Sequence, residues 1–238
     1  MEIYNDRTNF DETNAKQLSI YSALIRKVYV WMTLALCVTG LTAYYVANSR
    51  DLMTAIMGNH IVFIGLIVVE FALVWILSAS IYKMSFFTAS TMFFIYSILN
   101  GVTMSFIFLA FTATSIATTF FVTAGTFAAM AVVGYTTKKD LSGLARYLIM
   151  GLIGVLIATV VNIFVASTVF DWLVSYIGIA VFVGLTAYDS QKIKNMLMNY
   201  GTDMGENSKK IALMGSLSLY LDFINLFLYI LRLFGRNN

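Results

Sequence analysis

The hydrophobic positions of this chain fall into seven long, nearly uninterrupted runs. A helix needs about 20 apolar residues to cross the hydrocarbon core of a bilayer. The pattern therefore predicts seven membrane-spanning helices, at 28–47, 60–79, 86–110, 115–135, 147–167, 170–189 and 211–231. Only a few uncharged residues, 112–114, separate the third run from the fourth, which predicts a tight hairpin between them.

The stretch before the first run has a different character. Residues 1–25 carry both charge signs and lack the short apolar core of a cleavable signal. They predict a cytosolic N-terminal tail, followed by one seven-helix domain over 26–238. The chain contains no Pro, which favours continuous helices, because several transporter folds build their sites at helices broken by Gly or Pro.

Composition supports the same fold class. Of 238 residues, 60% are hydrophobic and 11% are charged, whereas about 25% are charged in an average soluble domain. The chain has too few charged residues to cover the surface of a water-soluble globule. The prediction is therefore an all-α integral membrane protein. The single Cys37 excludes an internal disulfide and reads as a small apolar residue of the first run.

The basic residues predict the orientation. With a cytoplasmic N-terminus, three of them (Arg50, Arg232 and Arg236) fall outside. Twelve fall inside: Arg7, Lys16, Arg26, Lys27, Lys83, Lys138, Lys139, Arg146, Lys192, Lys194, Lys209 and Lys210. This bias follows the positive-inside rule. A last segment that re-enters and returns would bring the C-terminal arginines inside as well. The full length of 211–231 and its lack of a central Gly or Pro favour seven complete spans.

Three carboxylates, Glu70, Asp189 and Asp222, lie within or at the end of apolar runs. An ionised carboxylate at mid-bilayer costs roughly 2.5–3.5 kcal/mol on insertion scales, so such residues usually serve a function or satisfy one another. Glu70 is compatible with a protonated packing residue, a partner of other site residues or an ion ligand. The remaining acids read as helix caps, with Asp171 at the start of the sixth run and Asp140 before the fifth. His60 has no companions for a metal site.

Asp222 belongs to a polar stripe on the last predicted helix. Ser218, Asp222, Asn225 and Tyr229 follow the spacing i, i+4, i+7 and i+11, which places them on one helix face. A polar face within a bilayer must be turned to the protein interior or to water, so we expect the last helix to be central in the bundle. The alternative is that these groups only hydrogen-bond to neighbouring helices.

Asp189 ends the sixth run on the side where the seventh begins, so Asp189 and Asp222 can approach each other. Two carboxylates in a low-dielectric site cannot both ionise cheaply and would share one proton. Such a pair would respond to pH. Alternatively, Asp189 is an interfacial residue in a weak ion pair with Lys192.

Motifs of enzymes are missing from the sequence. It has no phosphate-cradling loop, HExxH or GxSxG. AYD at 187–189 is similar to half of an intramembrane aspartyl protease signature, but the second aspartate lies in SLYLDFIN, without the expected glycines. We therefore expect no enzymatic activity, no cofactor and no nucleic-acid partner.

Three segments resemble the Bax inhibitor-1 family, also called the transmembrane Bax inhibitor motif family, in its bacterial type: TTKKDLSGL (136–144), GLTAYDSQKIK (184–194) and SLSLYLDFINLFLYILRLFG (216–235). The resemblance implies seven helices, the last enclosed by the other six, in a bacterial plasma (inner) membrane. It further implies a pH-sensitive calcium leak, with Asp189 and Asp222 as the sensor pair and Glu70 on the ion path.

The sequence departs from the bacterial calcium-leak type in two places. That type has several arginines at the end of the second helix, one of which holds a sensor aspartate in the closed form. Here the stretch is SASIYKMS, with Lys83 as the possible closing contact; a lysine lacks the forked geometry of arginine. The connector between the two aspartates, NYGTDMGENSKK, is also longer and reads as a solvated loop.

The functional expectation is a calcium leak channel gated by a proton-sharing aspartate pair. Asp189 and Asp222 would bind calcium, and Glu70, Asp222 and Asn225 would line its path, because calcium prefers oxygen ligands and conduction requires weak binding at several points. The expected partners are the lipid bilayer, calcium and other membrane proteins. One alternative is a non-conducting regulator that acts on stress, cell death or a protease through partner proteins. Another is a proton-coupled transporter.

Overall fold

The computed structural model describes residues 2–201 and 203–236, with side chains described for 17–56, 58–201 and 203–236. These residues form helices joined by short turns, in the order α1 (Glu2–Ala47), α2 (Arg50–Met57), α3 (His60–Ser80), α4 (Phe86–Met104), α5 (Ile107–Ala110), α6 (Ala113–Thr136), α7 (Ser142–Val165), α8 (Thr168–Tyr200) and α9 (Glu206–Phe234). The predicted all-α class is confirmed.

Within this described part, seven helical segments are long and apolar enough to cross a bilayer, in the predicted order. Two of them extend well beyond the predicted ends. The first begins at Gln17, and α8 continues eleven residues past Asp189. Leu24 and Leu197 are fully buried in these extensions, so contacts within the protein stabilise both helices beyond the ends of their apolar runs. The predicted boundary at 25 and 26 between tail and domain falls inside α1.

The long connector predicted between the two aspartates is mostly helix. α8 ends at Tyr200 and α9 begins at Glu206, so the connector shrinks to 201–205, of which residue 202 lies outside the described part. Asp203 Oδ1 accepts hydrogen bonds from the Gly205 N–H (2.9 Å) and the Ser208 hydroxyl (3.1 Å). Glu206 caps another helix, because its Oε1 accepts the N–H of Phe86 at the start of α4 (2.8 Å).

The third predicted helix is not continuous. It breaks at Ser105 and Phe106, between α4 and α5, although neither residue is Gly or Pro. The Ser105 hydroxyl is buried and donates to the Val102 carbonyl (2.7 Å), and such local side-chain bonds compete with the regular helix ladder. The hairpin predicted at 112–114 is present, with Thr112 accepting the N–H of Ser115 at the start of α6 (3.3 Å).

α9 is the most buried of the seven long helices. In its most apolar window 72% of the residues are buried, against 44% in the next most buried span. It packs against α1, α4, α6 and α8. α3 and α7 are not among these main packing partners, so the enclosure of α9 by all six other helices stays a prediction.

Alternating directions bring the ends of α6, α8 and the starts of α7 and α9 to one end of the bundle, which we call the basic end. It carries Lys138, Lys139, Lys192, Lys194 and Lys209. α9 runs unbroken from there to the opposite end, where the N–H of Arg236 donates to the Ser115 hydroxyl (2.9 Å). The last segment therefore spans the bundle fully and does not re-enter.

The predicted caps are corrected in detail. Ser167, and not Asp171, caps α8 by accepting the N–H of Phe170 (3.3 Å). Asp171 lies in the first turn, where its carboxylate accepts from the Asn162 amide (3.1 Å) and pairs with Arg232 of α9 (3.3 Å). Asp140 lies two residues before α7, and the N–H of Ser142 donates to it (2.9 Å), which holds the pKa of this exposed carboxyl below its ordinary value.

Candidate functional site

The carboxylate of Asp222 is buried on α9, the most buried of the long helices. The residue is 5% exposed, and within the described residues its Oδ2 atom has no hydrogen-bond partner. A buried polar group without a partner costs free energy comparable to a lost hydrogen bond, and more when it is charged. Asp222 therefore stands where a proton, a cation or a water molecule would satisfy it.

The packing of α8 on α9 fixes how Asp189 and Asp222 are placed. Gly178 lies against the ring of Tyr229, and Gly215 lies against Ile193. In this antiparallel register Asp222 is level with a point three residues before Asp189, or about 4.5 Å along the helix axis. Since Cβ atoms tilt towards the N-terminus of their own helix, the two side chains lean towards each other across this offset.

Two charged side chains act electrostatically on Asp222, the like charge of Asp189 and the opposite charge of Lys192. Lys192 also acts on Asp189, one turn earlier on α8. The structure thus brings the predicted pair into one electrostatic site. That they share a proton stays a prediction. The i, i+3 spacing of Asp189 and Lys192 is visible in the sequence, where it predicts only a weak interfacial ion pair.

A group of polar side chains lies next to this pair, towards the basic end. The Ser190 hydroxyl, adjacent to Asp189, is buried, and the Tyr29 hydroxyl of α1 is its polar neighbour. Tyr135 of α6 lies beside Tyr29 and Tyr21. Sequence reasoning missed these tyrosines, because only the packing of α1, α6 and α8 brings them together.

Glu70 lies in a second, separate polar site. Its carboxylate accepts hydrogen bonds from the Thr103 hydroxyl (2.7 Å) and the Asn100 amide (3.5 Å), both on α4. The Tyr220 hydroxyl donates to Asn100 Oδ1 (3.2 Å) and also contacts the Thr39 hydroxyl (2.7 Å). This chain of polar groups links α3, α4, α9 and α1. We call it the Glu70 network.

The two sites lie on different faces of α9. Tyr220 and Asp222 are two residues apart, which is about 200° around a helix. Tyr220 faces α4 and α1, whereas Asp222 faces α8. The structure therefore does not place Glu70 beside the aspartate pair.

Two other predicted site residues, Lys83 and Asn225, make no side-chain contact with the aspartate pair among the described hydrogen bonds and ion pairs. Lys83 is exposed in the turn between α3 and α4, and no ion pair of Lys83 occurs within the described residues; its predicted closing contact stays untested. The Asn225 amide donates to the Leu221 carbonyl of its own helix (2.8 Å). Calcium would meet few charged ligands here, because nowhere in the described part do three or more His, Cys, Asp or Glu residues gather.

A lateral groove opens between α1 and α6, with α9 as its floor. It consists of two adjoining cavities of about 520 and 620 Å³, which share Thr33, Leu36, Phe120 and Phe223. Its lining is almost wholly apolar. Tyr29 and Tyr135 lie in the cavity nearer the basic end. We call this feature the lateral groove.

The comparison with known proteins gives a coherent result. A family model described as "Inhibitor of apoptosis-promoting Bax1" matches residues 21–238. The inner membrane protein YbhL of Escherichia coli (strain K12) is 51% identical over 209 residues, which cover 88% of this chain and 89% of YbhL.

More distant bacterial relatives match over nearly their whole length. An uncharacterised protein of Borreliella burgdorferi is 42% identical over 227 residues, covering 95% of this chain and 97% of that protein. The uncharacterised protein RP147 of Rickettsia prowazekii is 38% identical over 237 residues, covering 97% and 98%. The seven apolar helices, the polar sites on α9 and these matches together show that the chain is a multi-pass membrane protein that belongs to the Bax inhibitor-1 family.

Proposed function

We propose that this protein is a pH-sensitive calcium leak channel of the bacterial inner membrane, with a cytoplasmic N-terminus. The observation that carries the proposal is the buried Oδ2 atom of Asp222 on α9, which has no hydrogen-bond partner among the described residues and lies within the field of Asp189. In this proposal the protein is not an enzyme, needs no cofactor, and carries calcium as its transported ion.

The proposed gate follows from the charge of the aspartate pair. In the ionised state the two carboxylates attract a divalent cation, and Lys192 opposes its entry from the basic end. A proton held by the pair removes one negative charge and weakens that attraction. It also changes how α8 and α9 interact at the level of Asp222. Glu70 offers a further oxygen site across α9, so the ion would move between weakly binding positions.

Calcium flux into liposomes that contain the purified protein tests the proposal. We expect the rate to exceed that of empty liposomes several-fold and to change with pH around neutrality. Asp189→Asn and Asp222→Asn each remove a carboxylate while keeping its shape, and should abolish the change with pH.

Asp171→Asn is the matched control, because Asp171 lies on α8, as Asp189 does, but at the opposite end of the bundle. It should leave the pH response unchanged. A folded protein without flux, or an unaltered pH response in both pair variants, would overturn the proposal.

A non-conducting regulatory role is the second candidate, and the lateral groove favours it. The groove lies between α1 and α6, with the buried Phe223 of α9 at its floor, and an apolar segment of another membrane protein could dock into it. Absence of calcium flux from folded protein would support this role. Saturable, proton-driven uptake of a defined solute would instead indicate a transporter.

A further inference from the structure

Tyr220 lies at the crossing point of the Glu70 network. It is fully buried, and its ring packs edge-on against Phe93 (5.7 Å) and Tyr96 (5.8 Å). Its hydroxyl is within hydrogen-bond distance of both Asn100 Oδ1 and the Thr39 hydroxyl. The Thr39 hydroxyl, which has one proton to donate, is also within hydrogen-bond distance of the Ser97 carbonyl (2.9 Å). A line of hydrogen bonds therefore connects Glu70 on α3 to a backbone carbonyl of α4 by way of α9 and α1.

When Glu70 is ionised, it can only accept hydrogen bonds. Both the Thr103 hydroxyl and the Asn100 amide N–H then donate to it, as in the structure. Asn100 consequently turns its carbonyl oxygen to Tyr220, and the Tyr220 hydroxyl donates its proton to that oxygen. In this arrangement the Tyr220 oxygen is free to accept a hydrogen bond from Thr39.

When Glu70 carries a proton, it becomes a donor. Rotation of the Asn100 amide then presents its oxygen to Glu70 and its N–H to Tyr220. The Tyr220 hydroxyl must accept from Asn100 and donate to Thr39, whose own proton goes to the Ser97 carbonyl. Each of these contacts is already within reach, so the network has two complete arrangements, one for each charge state of Glu70.

We propose that Tyr220 is a positioning residue that reports the charge state of Glu70 to α9. It does so by exchanging the roles of donor and acceptor. The consequence for calcium rests on the proposed function: α9, which carries Asp222 two residues later, would be held differently when Glu70 is charged or neutral. The reversal of the hydrogen bonds itself does not depend on calcium transport.

The surroundings of Glu70 support this link. The ionisable side chains in its field are Tyr96 and Tyr220, and the groups bonded to it, Thr103 and Asn100, are neutral. The helix α3, which carries Glu70, also packs against α2. The charged residues of α2, Arg50 and Asp51, are both exposed. Hydrogen-bond donors, and not a counter-charge, therefore balance Glu70 in the described part of the chain.

Nuclear magnetic resonance of protein carrying ¹³C at the phenol carbon of tyrosine tests the proposal directly. Tyr220→Phe, which keeps the ring and its packing, identifies the Tyr220 signal by its loss. Glu70→Gln mimics the neutral acid, because its amide can donate. We expect the Tyr220 signal to move in Glu70→Gln, and the signal of Tyr229 to stay in place. Tyr229 is the matched control, since it lies on the same helix but is stacked on Phe182.

In a protein that already carries Asn100→Leu, adding Glu70→Gln should no longer move the Tyr220 signal. The leucine side chain has no hydrogen-bonding group, so it cannot transmit the exchange of donor and acceptor from Glu70 to Tyr220. A Tyr220 signal that is unmoved by Glu70→Gln, or that still moves when Asn100→Leu is present, would overturn the proposal. If Tyr220→Phe fails to fold, Thr39→Val identifies the Tyr220 signal instead, by shifting it. The substitution removes the hydroxyl that contacts Tyr220 and nearly keeps the shape of the side chain.

Calcium flux then separates this inference from the proposed function. Glu70→Gln and Tyr220→Phe should each change the leak several-fold, and the double variant should change it no more than one of them alone, because coupled residues are not additive. Additive effects would refute the coupling. A wild-type protein without flux would refute the leak, while the tyrosine signal would still decide whether the network reverses.

Discussion

At the scale of single residues, the most consequential feature is the Oδ2 atom of Asp222, for which the described part of the chain provides no hydrogen-bond partner. Most buried polar groups in folded proteins have a partner, so this atom lowers the stability of the folded state. A group that costs stability persists where the surrounding structure and the function require it. Replacing Asp222 should therefore raise the stability of the protein and impair its proposed function.

We expect Asp222→Leu to stabilise the protein, because it replaces a buried, unsatisfied carboxylate with an apolar side chain of similar volume. The gain in the free energy of unfolding should be about 1–3 kcal/mol, the usual cost of an unsatisfied buried group. Thermal unfolding in detergent measures it. Asn225→Leu is the control and should gain less, because the Asn225 amide is already hydrogen-bonded to Leu221. A lower unfolding temperature for Asp222→Leu would contradict this account.

The sequence alone identified Glu70, Asp189 and Asp222, because a charge within an apolar run is conspicuous. It did not identify Thr103, Asn100 or Tyr220 as partners of Glu70. Neutral polar residues are common in membrane helices, and whether they meet depends on how each helix is rotated about its axis. Those rotations follow from the packing of α3, α4 and α9, which no local pattern encodes.

At the scale of helices, charged residues marked where the apolar runs end but not where the helices end. The run that closes at Asp189 is followed by SQKIKNMLMNY, which is polar enough to look like a loop. Yet Ile193 and Leu197 are buried there, four residues apart on one face, so α8 continues against the bundle. The break at Ser105 was equally hidden, because a serine hydroxyl turned back to its own helix leaves no distinct pattern.

Close packing of α6 on α8 depends on Gly134. A Cβ atom placed on Gly134 would overlap the carbonyl oxygen of Ala187, which is backbone and cannot rotate away. Gly134→Ala should therefore force α6 and α8 apart and destabilise the protein by about 1–3 kcal/mol, the range typical of overpacking. The temperature of unfolding in detergent measures the effect.

Gly125 provides the matched control on the same helix. A Cβ atom there meets nothing within 4 Å, so Gly125→Ala should be neutral or stabilise α6 by roughly 0.5–1 kcal/mol through reduced backbone freedom. Equal effects of the two substitutions would show that the contact with Ala187 is not what limits the approach of α6 and α8.

At the scale of the whole molecule, seven spans and the course of the last one were predictable from run length. The discordant arginines of the C-terminus have a structural explanation. Arg232 pairs with Asp171 at the end opposite the basic end, so part of the positive charge there is compensated within the protein. The lateral groove was not predictable, because it results from α1 and α6 standing apart over α9.

The lateral groove gives the interior of this protein an entrance that does not pass through water. Its floor includes Phe223, the neighbour of Asp222 in sequence, so apolar compounds that partition into membranes can approach the segment of α9 that carries Asp222 from the side. A photoactivatable apolar compound dissolved in the bilayer should label the groove, and Ala128→Trp, which fills it, should protect it. Labelling confined to outward-facing residues such as Trp75 would mean that lipid fills the lateral groove and keeps the compound out.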